Sequence, residues 1–309
     1  MAAQKVVLER YPLISIVVPT YHSEKTLPDT LSSVFQQTYQ HWQLIICDDG
    51  TNGFEQKEVE EQIQGQLPKA CSVVVIHQPE NIGTVRNLNA GLRVATGEWV
   101  MLLAADDVLA ETRTLEKLAT IAVDTMKSWI VSRTELCDSF LAHTGKFSPV
   151  DIHELRQETA AGLYGRLCTG CMFPSTGNLY QRTLLAELGG FDEAYRLVED
   201  WPTFLKLTRA GIIPEFCTDV SVLHRGGGVS WSNAAQNRIY QKDLIETMHR
   251  EVLPYIERLP EKERALIQQR CEDKLAVYVY RFEKKGLWSR LKWLFQHGGV
   301  VARKLVERA

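Results

Sequence analysis

The chain is poor in the features that mark several protein classes. No apolar run approaches the roughly 20 residues of a membrane-spanning helix. The longest runs, residues 13–18 and 99–105, have the length of strands. Residues 1–11 hold only Val6, Val7 and Leu8 as an apolar stretch, too short for the core of a signal peptide. The formal net charge is −3, which gives the whole chain no electrostatic case for binding DNA or RNA. The seven cysteines are odd in number and scattered. Cys168 and Cys171 form a lone C-x-x-C without the four ligands of a zinc site, and read as reduced thiols of a cytosolic protein. No biased tract of Pro or Gly occurs, which excludes a fibrous or wholly disordered chain. The loop after the first strand pattern, Pro19-Thr-Tyr-His-Ser-Glu24, has no glycine, and no G-x-x-x-x-G-K-[ST] is present. A nicotinamide oxidoreductase and a P-loop ATPase are thereby set aside.

What is present is ordinary globular material: 309 residues, 45% hydrophobic and 24% charged. A chain of this length can bury roughly three quarters of its unfolded surface. The first hundred residues alternate two periodicities. Short β-branched runs at 13–18, 42–47, 72–77 and 98–103 predict strands. Helical spacing follows at 27–35, 55–66 and 81–95. Strands separated by helices imply a parallel sheet of right-handed βαβ units. Ligands of such sheets bind beyond the carboxyl ends of the strands. Three of those ends carry polar clusters: Thr20-Tyr21, Asp48-Asp49 and Asp106-Asp107. Neighbouring carboxylates repel unless a cation or a hydrogen-bonding ligand joins them.

Farther along, the pattern predicts a helix over 114–126, a strand near 128–132 and helices opening at 182 and 199. A short strand near 220–223 follows, running into His224 and three glycines. The stretch 136–175 is weakly patterned. Helices are expected over 234–252 and 261–283.

The motifs Ser15-Ile-Val-Val-Pro-Thr-Tyr21, Cys47-Asp-Asp-Gly-Thr51, Asn81-Ile-Gly83 with Arg86-Asn87, Gly97-Glu-Trp-Val100, Ala105-Asp-Asp107, Gly189-Gly-Phe-Asp192 and Glu199-Asp-Trp201 stand in one order. As an ordered set they resemble the family 2 nucleotide-sugar glycosyltransferases of the GT-A fold, over about residues 13–230. The implied fold class is α/β, a Rossmann-like, mostly parallel sheet with helices on both faces, plus a helical C-terminal extension. The implied division is 1–230 for the transferase domain, with 1–107 as nucleotide-binding half and 108–230 as acceptor half, and 231–309 for the extension.

The resemblance also implies roles. Asp49 accepts a hydrogen bond from the base, Asp48 shares that site, Tyr21 stacks beside it, and Pro19 and Thr20 shape the pocket. Arg86 pairs with the donor's phosphates. Asp107 binds Mn2+ or Mg2+, Asp106 holds ribose or shares the metal, and His224 contacts metal or diphosphate. The family often has an acidic residue where Ala104 stands, so the division of work between Asp106 and Asp107 stays open. Asp200 is the base for the acceptor hydroxyl, with Glu199 orienting it or touching the acceptor. The expected reaction is inverting transfer from a nucleotide-diphosphate sugar, a UDP-sugar by the resemblance, to a saccharide or lipid-linked saccharide in surface polysaccharide or lipopolysaccharide synthesis.

Plainer readings stand beside these: an Asp-Asp turn capping a helix, an Asp-Gly turn ending a strand, and acids placed at a helix N-terminus by its dipole. Ala104 keeps open a catalytically silent nucleotide- or glycan-binding scaffold on the same fold. A nucleotidyltransferase would carry a glycine- and basic-rich loop after strand one, absent here. Residues 281–309 hold eight Lys or Arg against Glu283 and Glu307. With Leu287, Leu291 and Leu294 on one helical face and Trp288 and Phe295 on its shoulder, they suggest a basic helix on an anionic membrane surface, or else a packed terminal helix. Trp293 falls on the opposite side. The expected location is the cytoplasm, at the inner face of the membrane. Nothing in the sequence signals an oligomeric state.

Overall fold

The structure, a computed structural model, describes residues 11–227, 237–284 and 286–300, apart from the side chain of residue 287. Strands β1 (Ile14–Thr20), β2 (Trp42–Asp48), β3 (Ser72–His77) and β4 (Trp99–Leu102) form where the apolar runs predict them. They are parallel, in the order β3–β2–β1–β4. Every residue of β2 is buried, which is why it reads as one continuous apolar run. Register aligns Thr20 with Asp48 and Asp48 with His77, so the three strands end together at one edge of the sheet.

Alternate residues of these strands feed two cores. On one face Ile16, Leu44, Ile46, Val73 and Met101 meet Val34 of α1 (Leu27–Phe35), Ile63 of α2 (Gln56–Gln64) and Leu115 and Leu118 of α4 (Thr114–Asp124). On the other, Val17, Ile45, Val100 and Leu102 meet Val85 and Leu88 of α3 (Thr84–Val94).

The second half is where the parallel pattern breaks. β8 (Leu179–Gln181) lies antiparallel between β4 and β6 (Trp129–Cys137), and β6 pairs parallel with β9 (Glu215–His224). β5 (Val108–Leu109) closes the edge on β9, and β7 (His143–Ser148) is a hairpin partner of β6. Sequence reading misses β7 because its residues are mostly exposed and polar, and β8 because three residues show no period. The weakly patterned stretch also folds as α5 (Ile152–Leu155) and α6 (Ala160–Cys168). α7 (Arg182–Glu187) and α8 (Asp200–Arg209) follow the expected positions. Trp129 stacks on Phe204 of α8 at 5.2 Å and on Tyr180 at 6.3 Å, anchoring this half.

The extension is α9 (Arg238–Thr247), a π turn (Met248–Val252), a 3-10 turn (Leu253–Arg258), α10 (Glu261–Tyr278), a second π turn (Val279–Glu283) and α11 (Leu287–Gln296). Met248, Val252, Ile256, Leu259 and Ile267 share one core with Leu163 and Leu167 of α6 and Phe204 of α8. The boundary expected at residue 230 lies outside the described residues, as do Gly228, Lys285, Arg303, Lys304, Glu307 and Arg308.

Gly91 shows how tightly α3 meets the sheet: a Cβ there would lie 2.6 Å from Val17 Cγ1 and 2.8 Å from Cys47 Sγ. Alanine improves helix propensity by about 1 kcal/mol, whereas overpacking a filled core costs about 1–3 kcal/mol. Gly91→Ala is expected to lower the urea unfolding midpoint. An unchanged or higher midpoint would mean that α3 can lift off the sheet freely.

Candidate active site

Asp107 is fully buried, in the turn after β4. Both its carboxylate oxygens lie 3.0 Å from His224 Nδ1, and the Arg225 N–H donates to Oδ1 at 3.0 Å. Its carbonyl accepts from Thr30 Oγ1 at 2.7 Å. Arg225 completes the clamp, with Nε on the Asp106 carbonyl at 2.8 Å and its guanidinium on Asp29 at 2.7 Å. Burial alone would lower the His224 pKa, but the bond to Asp107 and the charges of Asp107 and Asp106 outweigh it and raise it. Asp106 is half-buried, and no side chain among the described residues donates to its carboxylate. Burial and the Asp107 charge push it up to about 6, against the pull of His224 and Arg225.

At the ends of β1 and β2 the two aspartates also divide. Asp49 accepts from the N–H of Ile82 at 2.7 Å with one oxygen and of Gly83 at 3.0 Å with the other. Burial still raises its pKa, over these two bonds and the nearby Arg196. Asp48 uses only Oδ2, accepting from Thr51 N–H and His77 Nδ1, both at 2.8 Å. Its Oδ1 is buried without a partner among the described residues, a costly state unless a ligand donor fills it. His77 stacks on Phe54 at 5.4 Å. Thr20 is buried and its carbonyl accepts from Asp49 N–H, while Tyr21 is 47% exposed beside His22.

Glu199 caps α8 and Asp200 opens it. Asp200 Oδ1 accepts from Trp201 N–H at 2.7 Å and Oδ2 from the Cys171 thiol at 3.6 Å. Burial, then the Asp200 charge, push Glu199 up to about 8. Burial raises Asp200 too, but the N–H and S–H bonds hold it back. Glu199 has no such pair of donors among the described residues, so burial and the Asp200 charge act on it with less opposition.

Hydrogen bonds chain these groups together at the carboxyl edge of the sheet. Asp49 holds residues 82–83. The guanidinium of Arg196 reaches the Asn81 carbonyl at 2.8 Å, and Arg196 lies three residues before Glu199. Cys171, on Asp200, opens the loop whose Thr176 Oγ1 accepts from Ala104 N–H at 3.3 Å, two residues from Asp106. Arg86 stands apart: it is exposed and its Nε lies 3.4 Å from Glu193. Other motif residues are scaffold. Asn87 Nδ2 ties α3 to the Cys47 carbonyl at 2.6 Å. Asn89 brackets Phe191, donating to its carbonyl and accepting its N–H, both at 2.9 Å. Arg196, Arg225, His77 and Cys171 escape sequence reading because their partners are far away in the chain.

Residues 15–189 match the sequence pattern of Glycosyl transferase family 2, over half of the chain. The chain belongs to glycosyl transferase family 2. A PGL/p-HBAD biosynthesis glycosyltransferase of Mycobacterium bovis (strain BCG / Pasteur 1173P2) is 27% identical over 191 residues, 62% of this chain and 67% of the relative. Glycosyltransferase GlyG of Streptococcus pneumoniae serotype 4 is 33% identical over 99 residues, 32% of each chain. Among solved structures, the mannosyltransferase PcManGT from Pyrobaculum calidifontis, in complex with GDP-Man and Mn2+, matches with a TM-score of 0.62 at 18% identity, over 96% of this chain and 81% of that one. S. aureus TarS 1–349 in complex with UDP gives 0.54 at 16% identity, over 87% and 81%. This chain covers 43% of the longer TarS structure. At such identities the likeness is one of fold, the GT-A type.

In this family 2 transferase no three His, Cys, Asp or Glu side chains among the described residues form a ready cage for a metal. Mg2+ needs none: one or two carboxylates, with substrate phosphates and water, are its usual shell. The Asp106 carboxylate, beside His224 and without a side-chain donor among the described residues, fits that requirement, and a cation there would offset the burial and the Asp107 charge that raise Asp106. A cavity of about 730 Å³ between α1 and α2, lined by Leu27, Leu31 and Val59, adjoins the Asp48 end of the site through Thr51 and Phe54.

The Glu199 shift has a measurable consequence. Its folded pKa of about 8 lies above its ordinary 4.5, so between those values the folded state holds a proton that the unfolded state has released. Its contribution to stability is fully present below pH 4.5 and lost as pH rises through 8. Wild type is expected to lose urea stability from pH 5 to pH 8 more steeply than Glu199→Gln. Parallel curves would show that the carboxyl is not perturbed.

Proposed function

We propose that this family 2 transferase is a metal-dependent, inverting enzyme that moves a sugar from a UDP-sugar to a saccharide or lipid-linked saccharide, in surface polysaccharide or lipopolysaccharide synthesis. The observation that carries the reading is the unfilled acceptor on buried Asp48 at the end of β2, together with an Asp106 carboxylate that takes no side-chain donor among the described residues in the turn after β4. The names and ligands of the similar proteins support the class: PGL/p-HBAD biosynthesis, UDP, UDP-GlcNAc, and GDP-Man with Mn2+.

The ring N–H of a uracil would donate to Asp48 Oδ1, with Tyr21 against its face and Pro19 and Thr20 shaping the floor. Asp49, with both oxygens taken, holds the 82–83 loop instead of the base. Asp106 and His224 would hold Mn2+ or Mg2+. Asp107 sits behind His224 on Nδ1, the arrangement that fixes a metal-binding imidazole. A bound cation supplies positive charge to the departing diphosphate. Asp200 takes the acceptor hydroxyl's proton as that oxygen bonds to the anomeric carbon and the carbon–diphosphate bond breaks on the opposite side, which inverts the centre. Asp106→Asn is expected to abolish the Mn2+-dependent part of UDP binding in titration calorimetry. Asp200→Asn should keep that binding and lose transfer by about 10²–10⁴-fold. Turnover retained in Asp200→Asn refutes the base. UDP binding with no transfer or hydrolysis in wild type returns the silent scaffold that Ala104 keeps open.

We further propose that α11 rests on an anionic membrane surface. Trp293 is buried and faces inward, 4.9 Å from Tyr280 and stacked on His297 at 4.4 Å. Trp288 and Phe295 are 84% and 92% exposed, with Leu291 between them on one face and the exposed Lys292 on the same helix, while Arg290 turns back over the Tyr280 ring. Amphipathic helices of this make bind anionic lipid. No helix among the described residues is long and apolar enough to cross a membrane. Cosedimentation with phosphatidylglycerol vesicles, and not phosphatidylcholine vesicles, is expected, and Trp288→Ser with Phe295→Ser should remove it. Equal sedimentation of that double variant would contradict the surface.

A further inference from the structure

The extension lies beyond the residues that match the family pattern, yet one of its side chains reaches the segment that leads into the acid pair. Asp243 of α9 is buried, 5% exposed. Its Oδ2 accepts the N–H groups of Arg196, Leu197 and Val198, at 2.9, 2.6 and 3.3 Å. Three successive backbone donors aimed at one point form a concavity that favours an anion. Here the anion belongs to the same chain. A buried carboxylate needs such bonds, and three N–H groups of an irregular segment need an acceptor, so each side holds the other in place.

The segment 196–198 leads directly into Glu199 and Asp200. It also faces the donor side. The Arg196 carbonyl accepts from Val85 N–H at 3.2 Å, and its guanidinium lies 2.7 Å from Asn81 Oδ1. Gly83, at φ +93°, packs so closely that a Cβ would fall 2.5 Å from Arg196 Cγ. α9 is itself fixed: Thr247 Oγ1 donates to the Asp243 carbonyl at 2.8 Å. In the π turn that follows, Glu251 accepts from Arg209 of α8 at 2.7 Å and from Tyr164 of α6 at 2.8 Å. Asp243 is thus a rigid post against which the approach to Asp200 is set.

We propose that Asp243 is a positioning residue for sugar transfer: from the helical extension it fixes the backbone of residues 196–198 and thereby the placement of the Glu199–Asp200 pair. This rests on Asp200 being the base. The test uses the full chain. Asp243→Asn keeps shape and one acceptor oxygen but removes the charge. It is expected to lower kcat by about tenfold or more, since small misplacements of a catalytic group are costly. Donor KM and UDP affinity should change less than about threefold, with the melting temperature well above that of the assay. A packing role alone leaves kcat at the wild-type value in a folded variant, and that result overturns the proposal. Asp200→Asn in the same assay separates the two ideas: turnover there sinks the base, whereas an inactive Asp200→Asn beside a fully active Asp243→Asn sinks the positioning role only. Should Asp243→Asn fail to fold, amide exchange of wild type decides. The amides of residues 196, 197 and 198 are expected to exchange far more slowly than those of the neighbouring loop residues 192–194, and equally fast exchange overturns the proposal.

Discussion

The buried carboxylate of Asp107 is the constraint on which the working edge depends. It draws the end of β9 against the turn after β4 through His224 and Arg225, across more than a hundred residues of chain. Arg225 carries the same clamp to α1 through Asp29. A buried charge that loses its partners costs several kcal/mol, so this corner has one well-defined arrangement. Asp106 is presented as a consequence of how firmly its neighbour is held.

Two of the consecutive acid pairs, Asp48-Asp49 and Asp106-Asp107, divide alike: one member is held by donors on both carboxylate oxygens and the other is not. In the third, Glu199-Asp200, Asp200 takes the donors, from Trp201 and Cys171. Asp49 secures the 82–83 loop while Asp48 keeps an empty acceptor. Asp107 secures His224 while Asp106 has no side-chain donor. Burial and the Asp200 charge push Glu199 up, while the N–H and S–H bonds on Asp200 oppose its own rise. Two adjacent acids buried together cannot both stay ionised cheaply. Supplying donors to one of them favours its charged form.

Much of this was legible in the sequence, and what was not has a physical reason. The strands 42–48 and 72–77 announce themselves because burial on both faces demands unbroken apolar runs, and the polar clusters at their ends mark the edge where ligands bind. The hairpin strand β7 and the three-residue β8 carry no such pattern. Which acid of each pair takes the donors could not be read locally, since those donors are distant: His224 for Asp107, Ile82 and Gly83 for Asp49, Cys171 for Asp200. Motif position assigns the base to Asp49 and the metal to Asp107; in the proposed function they fall to Asp48 and Asp106. Trp293, which spoiled the apolar face of the last helix on paper, is buried against Tyr280 of the preceding π turn.

The central claim is that Asp48, Asp106 and Asp200 face one shared donor cleft. Crystals grown with UDP and Mn2+, with anomalous diffraction recorded at the manganese edge, test it most directly. The account predicts one manganese peak bonded to the Asp106 carboxylate and to the diphosphate, with the uracil ring N–H on Asp48. A manganese peak remote from Asp106, or a uracil seated away from Asp48, would contradict it.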